Sequence, residues 1–175
     1  LLFAALVNPA YAQASGPVYI VQAGDTLSFI ASRFNGSLDE LIAFYENFSI
    51  ADVARFGEFY GADAWFKDPF NEVRGLPAIQ RIFTHMFSQV AEPRFHIEES
   101  IVADNGAMLA WTFHCRMPRL GGGGNQVMRG VTHLRFDAAG KVNYHRDYWD
   151  AAEELYMKLP AVGWLMRGLR RMISA

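Results

Sequence analysis

His133-Leu-Arg-Phe-Asp-Ala-Ala-Gly-Lys-Val142, continuing into His145-Arg-Asp-Tyr-Trp-Asp150, is the stretch that decides the fold. Apolar Leu134 and Phe136 alternate with His133 and Arg135, the period of a half-buried strand. Asp137-Ala-Ala-Gly140 supplies turn residues. Val142 then opens a second strand, on which Asn143, His145, Asp147 and Trp149 share a face. Two strands joined by so short a turn form an antiparallel hairpin. Polar side chains on a face that also carries a tryptophan point to the wall of a wet pocket rather than a dry core.

Upstream, Arg94 to Ala103, Ala107 to Met117 and Gln126 to Phe136 are further strands, separated by Asp104-Asn-Gly106 and Gly121-Gly-Gly-Gly124. The result is an antiparallel meander. On the last of these strands Met128, Gly130, Thr132 and Leu134 share a side. On Ala107 to Met117 the alternation sets Met108, Ala110, Thr112 and His114 against Leu109, Trp111, Phe113 and Cys115. The polar set is expected to face the pocket, leaving Leu109, Trp111 and Phe113 outward as an apolar interface.

Before the strands come helices. Leu38, Leu41, Ile42, Tyr45 and Phe48 recur at helical spacing, and a second helix starts behind Ser49 with Val53, Phe56 and Tyr60 on one side. Ala64 to Lys67 is a brief strand ended by Asp68-Pro69, since proline removes a ladder donor. Gly75 and Pro77 open a helix over Leu76 to Gln89. Helices gathered first and strands later predict an α+β domain over residues 38–175: a curved antiparallel sheet packed on N-terminal helices around a pocket.

The composition, 51% hydrophobic and 14% aromatic in 175 residues, suffices for a full core. A net charge of −2 without a long basic run argues against a nucleic-acid partner. Cys115 is the single cysteine, which excludes an intrachain disulfide and a cysteine metal cluster. Gly121 to Gly124 lacks the strand-to-helix setting of a phosphate loop and reads as a flexible hairpin.

Leu1 to Val7 followed by Ala10-Tyr-Ala12 has the apolar run and small-x-small site of a truncated secretory leader, assigned to residues 1–12. A native leader predicts a periplasmic or secreted protein; otherwise the expectation is cytoplasmic. Tyr19-Ile-Val-Gln-Ala-Gly-Asp-Thr-Leu-Ser-Phe-Ile-Ala-Ser-Arg-Phe34 resembles the first half of a lysin motif (LysM), the module that binds N-acetylglucosamine polymers, with Leu38 to Ile42 available as its second helix. A fragment over residues 13–37 buries no core of its own, which argues for a fused remnant and against peptidoglycan binding.

Phe59-Tyr-Gly-Ala-Asp-Ala-Trp-Phe-Lys-Asp-Pro-Phe70 with Gly75, together with the hairpin quoted first, resembles the nuclear transport factor 2-like superfamily. That is the cone-shaped fold of SnoaL-like polyketide cyclases, ketosteroid isomerase and limonene-epoxide hydrolase, and the resemblance spans residues 38–163. Likeness to the isomerase implies that Asp68 is the general base and Tyr45 the donor to an enolate oxygen. Thr132 then stands where the isomerase has a protonated aspartic acid. Likeness to the hydrolase implies that Asp147 activates water, while Thr112 and His114 replace its arginine and second aspartate.

The acid-base set is therefore Asp68, Asp147, His114 and His145. Tyr45, Phe66, Thr112, Thr132 and Trp149 are the expected substrate contacts. A metal held by His114, His145 and a carboxylate is the weaker alternative, and no metal or organic cofactor is expected. The reading is a pocket for a small apolar molecule, acted on as an isomerase or hydrolase acts on a carbonyl or an epoxide, or bound without catalysis; an envelope-associated interaction module is the further alternative. The resemblance also implies a homodimer through the outer sheet face. Trp164, Leu165, Leu169, Met172 and Ile173 opposite Arg167, Arg170 and Arg171 predict a basic amphipathic helix, fit to pack as a lid or dimer contact or to touch a membrane surface weakly.

Overall fold

The structure is a computed structural model, and it describes residues 38–103, 106–118 and 124–173. The leader and most of the LysM-like stretch lie outside the described residues. Residues 38–46 form helix α1, whose Leu38, Leu41, Phe44 and Tyr45 are buried at helical spacing. A 3₁₀ helix, Ile50–Glu58, follows. Its start is held by Asp52, whose carboxylate accepts from the Ser49 amide at 3.0 Å and from the Ser49 hydroxyl.

Strand β1 (Tyr60–Lys67) and a short β2 (Glu72–Arg74) make a hairpin, and helix α2 (Leu76–Gln89) crosses behind them. Gly75 at the helix entrance has φ +95°, a conformation that suits glycine, and its amide donates to the Ala64 carbonyl at 2.8 Å. Strands β3 (Ala91–Ala103), β4 (Gly106–Arg116), β5 (Asn125–Phe136) and β6 (Val142–Tyr148) form the meander. The strands assemble as β2-β1-β6-β5-β4-β3. Helices α3 (Ala151–Glu154) and α4 (Pro160–Ile173) end the chain, separated by a 3₁₀ turn at Tyr156–Lys158.

The α+β cone expected from the sequence is the fold observed, with two refinements. β1 pairs with β6 in parallel, setting Phe66 beside His145, so the sheet is mixed rather than wholly antiparallel. Tyr60, expected at the end of a helix, opens β1 instead.

The core fills the concave side of the sheet. Phe44, Phe48, Phe56 and Phe83 pack ring against ring, with Phe48 stacked on Phe56 at 5.3 Å and Phe83 edge-on to Phe56 at 4.7 Å.

The faces of β4 are the reverse of the expectation. Leu109, Trp111, Phe113 and Cys115 are buried on the concave side, and His114 is exposed on the convex side that Thr112 shares. The reason is volume. The space beneath α2 demands bulky apolar side chains, and Met108, Ala110 and Thr112 would leave it underfilled. The interface assigned to Leu109, Trp111 and Phe113 is thus core. The outward face carries Trp65 stacked on Tyr144, with Arg135 over the Tyr144 ring and Arg146 over Tyr148.

Candidate active site

A cavity of about 720 Å³ opens between α2, the concave sheet and the C-terminal segment. Its wall is largely apolar: Phe66, Phe83, Phe95, Trp111, Phe113, Met86, Met128 and Trp149. Asp68, Asp147, Arg81 and His85 bring charge or titratable groups to it. This is the usual makeup of a small-molecule site, apolar with a few placed polar groups.

The two carboxylates sit at the ends of neighbouring strands and have different surroundings. Asp68 closes the turn after β1. Its Oδ1 accepts from the amides of Phe70 at 2.7 Å and Asn71 at 2.6 Å, and the Asn71 side-chain amide reaches both oxygens at 3.0 Å. Such an Asx turn occupies the carboxylate in holding backbone.

Asp147 instead heads a buried chain of hydrogen bonds. Its Oδ1 lies 2.5 Å from Thr132 Oγ1 and 2.9 Å from His145 Nε2. Trp111 Nε1 donates to Thr132 Oγ1 at 2.8 Å. On the other side His145 Nδ1 is 2.6 Å from the Tyr60 hydroxyl, which in turn bonds the Tyr45 hydroxyl.

The chemistry of these groups fixes the direction of each bond. Indole can only donate, so Thr132 accepts from Trp111 and its own hydrogen goes to Asp147. Among the described residues Tyr45 has no second hydrogen-bond partner, so its hydrogen is satisfied only by donation to Tyr60. Tyr60 then donates to His145 Nδ1, and His145 donates from Nε2 to Asp147. Every hydrogen runs toward the carboxylate, with His145 in its Nε2–H tautomer. Burial first, and the charge of Asp147 last, hold both phenols well above the ordinary tyrosine range.

Trp111 reaches Thr132 because its cross-strand partner is Gly130, and a Cβ there would collide with the indole ring. Phe66 lies 4.7 Å from the His145 ring and lines the cavity itself, screening the imidazole from the pocket.

Of the residues expected at the site, Asp68, Asp147, Phe66 and Trp149 line the cavity. His145, Thr132 and Tyr45 lie behind its wall in the hydrogen-bond chain. Thr112 and His114 do not join them; their side of β4 faces away, which also separates His114 from His145 by the thickness of the sheet. Tyr60 and Trp111 are members of the chain that sequence reasoning placed elsewhere. His85, exposed on α2, lines that wall of the cavity.

With that geometry in place, the relatives can be compared. The SnoaL-like domain profile matches residues 41–145. The chain belongs to the SnoaL-like domain family.

A hypothetical protein with a ketosteroid isomerase-like fold from Catenulispora acidiphila, solved with trimethylamine, superposes on this SnoaL-like chain with a TM-score of 0.61 at 13% identity, covering 73% of this chain and 95% of that one. An LEH-like epoxide hydrolase from M. tuberculosis gives 0.57 at 15% identity, covering 81% and 96%. A putative SnoaL-like polyketide cyclase from Shewanella putrefaciens gives 0.58 at 20% identity, covering 71% and 97%. At these identities the likeness is one of fold. No curated protein matches the sequence.

A LysM domain profile also matches, over residues 19–44. Its described end is α1, whose Leu38, Leu41 and Phe44 are packed in the core of the SnoaL-like cone.

Proposed function

We propose that the protein binds a small, largely apolar molecule in the cone and acts on it as a cofactor-independent hydrolase, with Asp147 as the general base that activates water. The observation that carries this reading is that Asp147 is the carboxylate of the cavity wall that the buried donor chain ends on. Two hydrogen bonds on Oδ1 hold the carboxylate in place, and Oδ2 takes no part in that chain.

Water deprotonated by Asp147 would attack an electrophilic carbon such as that of an epoxide, and the ring oxygen would leave as an alkoxide that needs a proton. His85, on the opposite wall, is the side chain suited to supply it. The isomerase alternative draws less support. Its enolate donor, Tyr45, lies behind the cavity wall with its hydrogen already donated to Tyr60.

The test is turnover of a panel of apolar epoxides and enolisable ketones, read by mass spectrometry, beside binding of the same compounds followed by tryptophan fluorescence. Diol formation that Asp147→Asn abolishes while affinity persists supports the hydrolase. Binding without turnover in either protein would replace it with a carrier.

A further inference from the structure

Helix α4 is turned the wrong way round for an ordinary surface helix, which directs its apolar side to the core. Its sequence, PAVGWLMRGLRRMI, places Val162, Leu165, Met166, Leu169, Met172 and Ile173 at the spacing of one continuous stripe. The side that meets the body of the protein is the opposite one. Gly163 is buried there, so close to the Met157 carbonyl that a Cβ would collide with it, and Arg167 Nη1 donates to the same carbonyl at 3.0 Å. The stripe is left facing outward, with Leu165 54%, Leu169 46%, Met172 84% and Ile173 86% exposed.

The charge on the helix discriminates among occupants. It carries Arg167, Arg170 and Arg171 and no acidic residue. The guanidinium groups lie across the helix from the centre of the stripe, and a second copy laid stripe to stripe would double their positive charge with no carboxylate from either helix to offset it. An anionic surface complements them. Trp164, 75% exposed, lies beside Arg171 on the flank of the helix, where an amphipathic ring suits a headgroup region. At about 1.5 Å per residue the helix is too short to cross a hydrocarbon layer of about 30 Å, and no described helix is long and apolar enough to span one.

We propose that α4 is an interfacial helix that docks the protein on an anionic lipid surface, its apolar stripe at the boundary between headgroups and acyl chains. The proposal is independent of the chemistry assigned to Asp147. It bears on access, because the segment that carries α4 begins at Leu155, which lines the cavity, and Tyr156, whose ring meets Phe70 on the same rim.

The experiment is co-sedimentation of the full chain with vesicles of phosphatidylcholine alone or mixed with phosphatidylglycerol, at low and high salt. Binding at least tenfold stronger to the anionic vesicles, weakened by salt, is expected. Leu165→Glu with Leu169→Glu should abolish it, and Arg170→Gln with Arg171→Gln should weaken it about tenfold or more. Leu165 and Leu169 are exposed, so circular dichroism and the thermal midpoint of that variant should not move.

Failure to pellet with either vesicle overturns the proposal. So does pelleting that the Leu165→Glu, Leu169→Glu variant retains. A dimer in light scattering that this variant loses, without lipid binding by the parent, would identify the stripe as a contact between copies and overturn it as well.

Discussion

Asp68 and Asp147 stand at the ends of two paired strands and border the same cavity, yet one is held by a turn and the other by a relay. The ladder that sets Lys67 beside Arg146 brings the two strand ends together. What differs lies behind them. Asp68 accepts from the backbone of its own loop, so its carboxylate shapes β1 and β2. Asp147 accepts from Thr132 and His145, whose own partners reach across the sheet to Trp111 and down to Tyr45. Proximity to a pocket does not distinguish a base from a structural acceptor; the origin of the hydrogen bonds does.

The largest effect is expected from Asp147→Asn. The amide keeps an oxygen for Thr132 and His145, so the fold should persist while turnover falls by about 10²–10⁴-fold, the usual contribution of a general base. Steady-state kinetics on whichever substrate the panel yields would check it, and an equal loss in Asp68→Asn would erase the distinction.

Next in size is Tyr60→Phe. It strands the Tyr45 hydrogen and the Nδ1 lone pair of His145 in the interior, at a cost of about 1–3 kcal/mol in urea unfolding. It should also lower kcat more than it changes KM, since the imidazole that orients Asp147 loses its own anchor.

The relay side should show an alkaline pH dependence. Both buried phenols are raised in the folded state, so the unfolded chain releases protons first, at about pH 10. Their contribution to stability is therefore complete below about pH 10 and is lost as pH rises above it. Urea midpoints from neutral to alkaline pH should fall steeply in the parent and less steeply in a Tyr45→Phe, Tyr60→Phe double variant.

The smallest effect is expected from Asp68→Ala. Loss of the turn acceptor should cost about 1 kcal/mol, as for a lost helix cap, and leave turnover within about twofold of the parent, a change small beside that of a general base.

Much of the cone was legible from periodicity. The β5 and β6 faces, with Thr132, Leu134, His145 and Asp147 inward, came from strict alternation around turns with clear chemistry. On β4 the same rule misled, because both faces are largely apolar and the polar pair Thr112 and His114 was given more weight than the greater bulk of Leu109, Trp111 and Phe113. Tyr60 was hidden by its spacing. It follows Phe56 by four residues, so a helical stripe runs past the 3₁₀ helix into the strand without a break. The parallel pairing of β1 with β6 joins segments too distant in sequence for a local pattern to reveal. Without it, nothing in the sequence connects Tyr60 to His145.

The relay has a blind end. Tyr45 closes it beneath the aromatic core, with no route onward to solvent among the described residues, so the interior can polarise Asp147 but cannot drain it. In the proposed hydrolysis, a proton gained by that carboxylate would leave by the door through which it came, carried off by the product or by water in the cavity. Turnover would then be limited by how readily the mouth exchanges its contents, and a solvent isotope effect would report on that traffic rather than on the tyrosines.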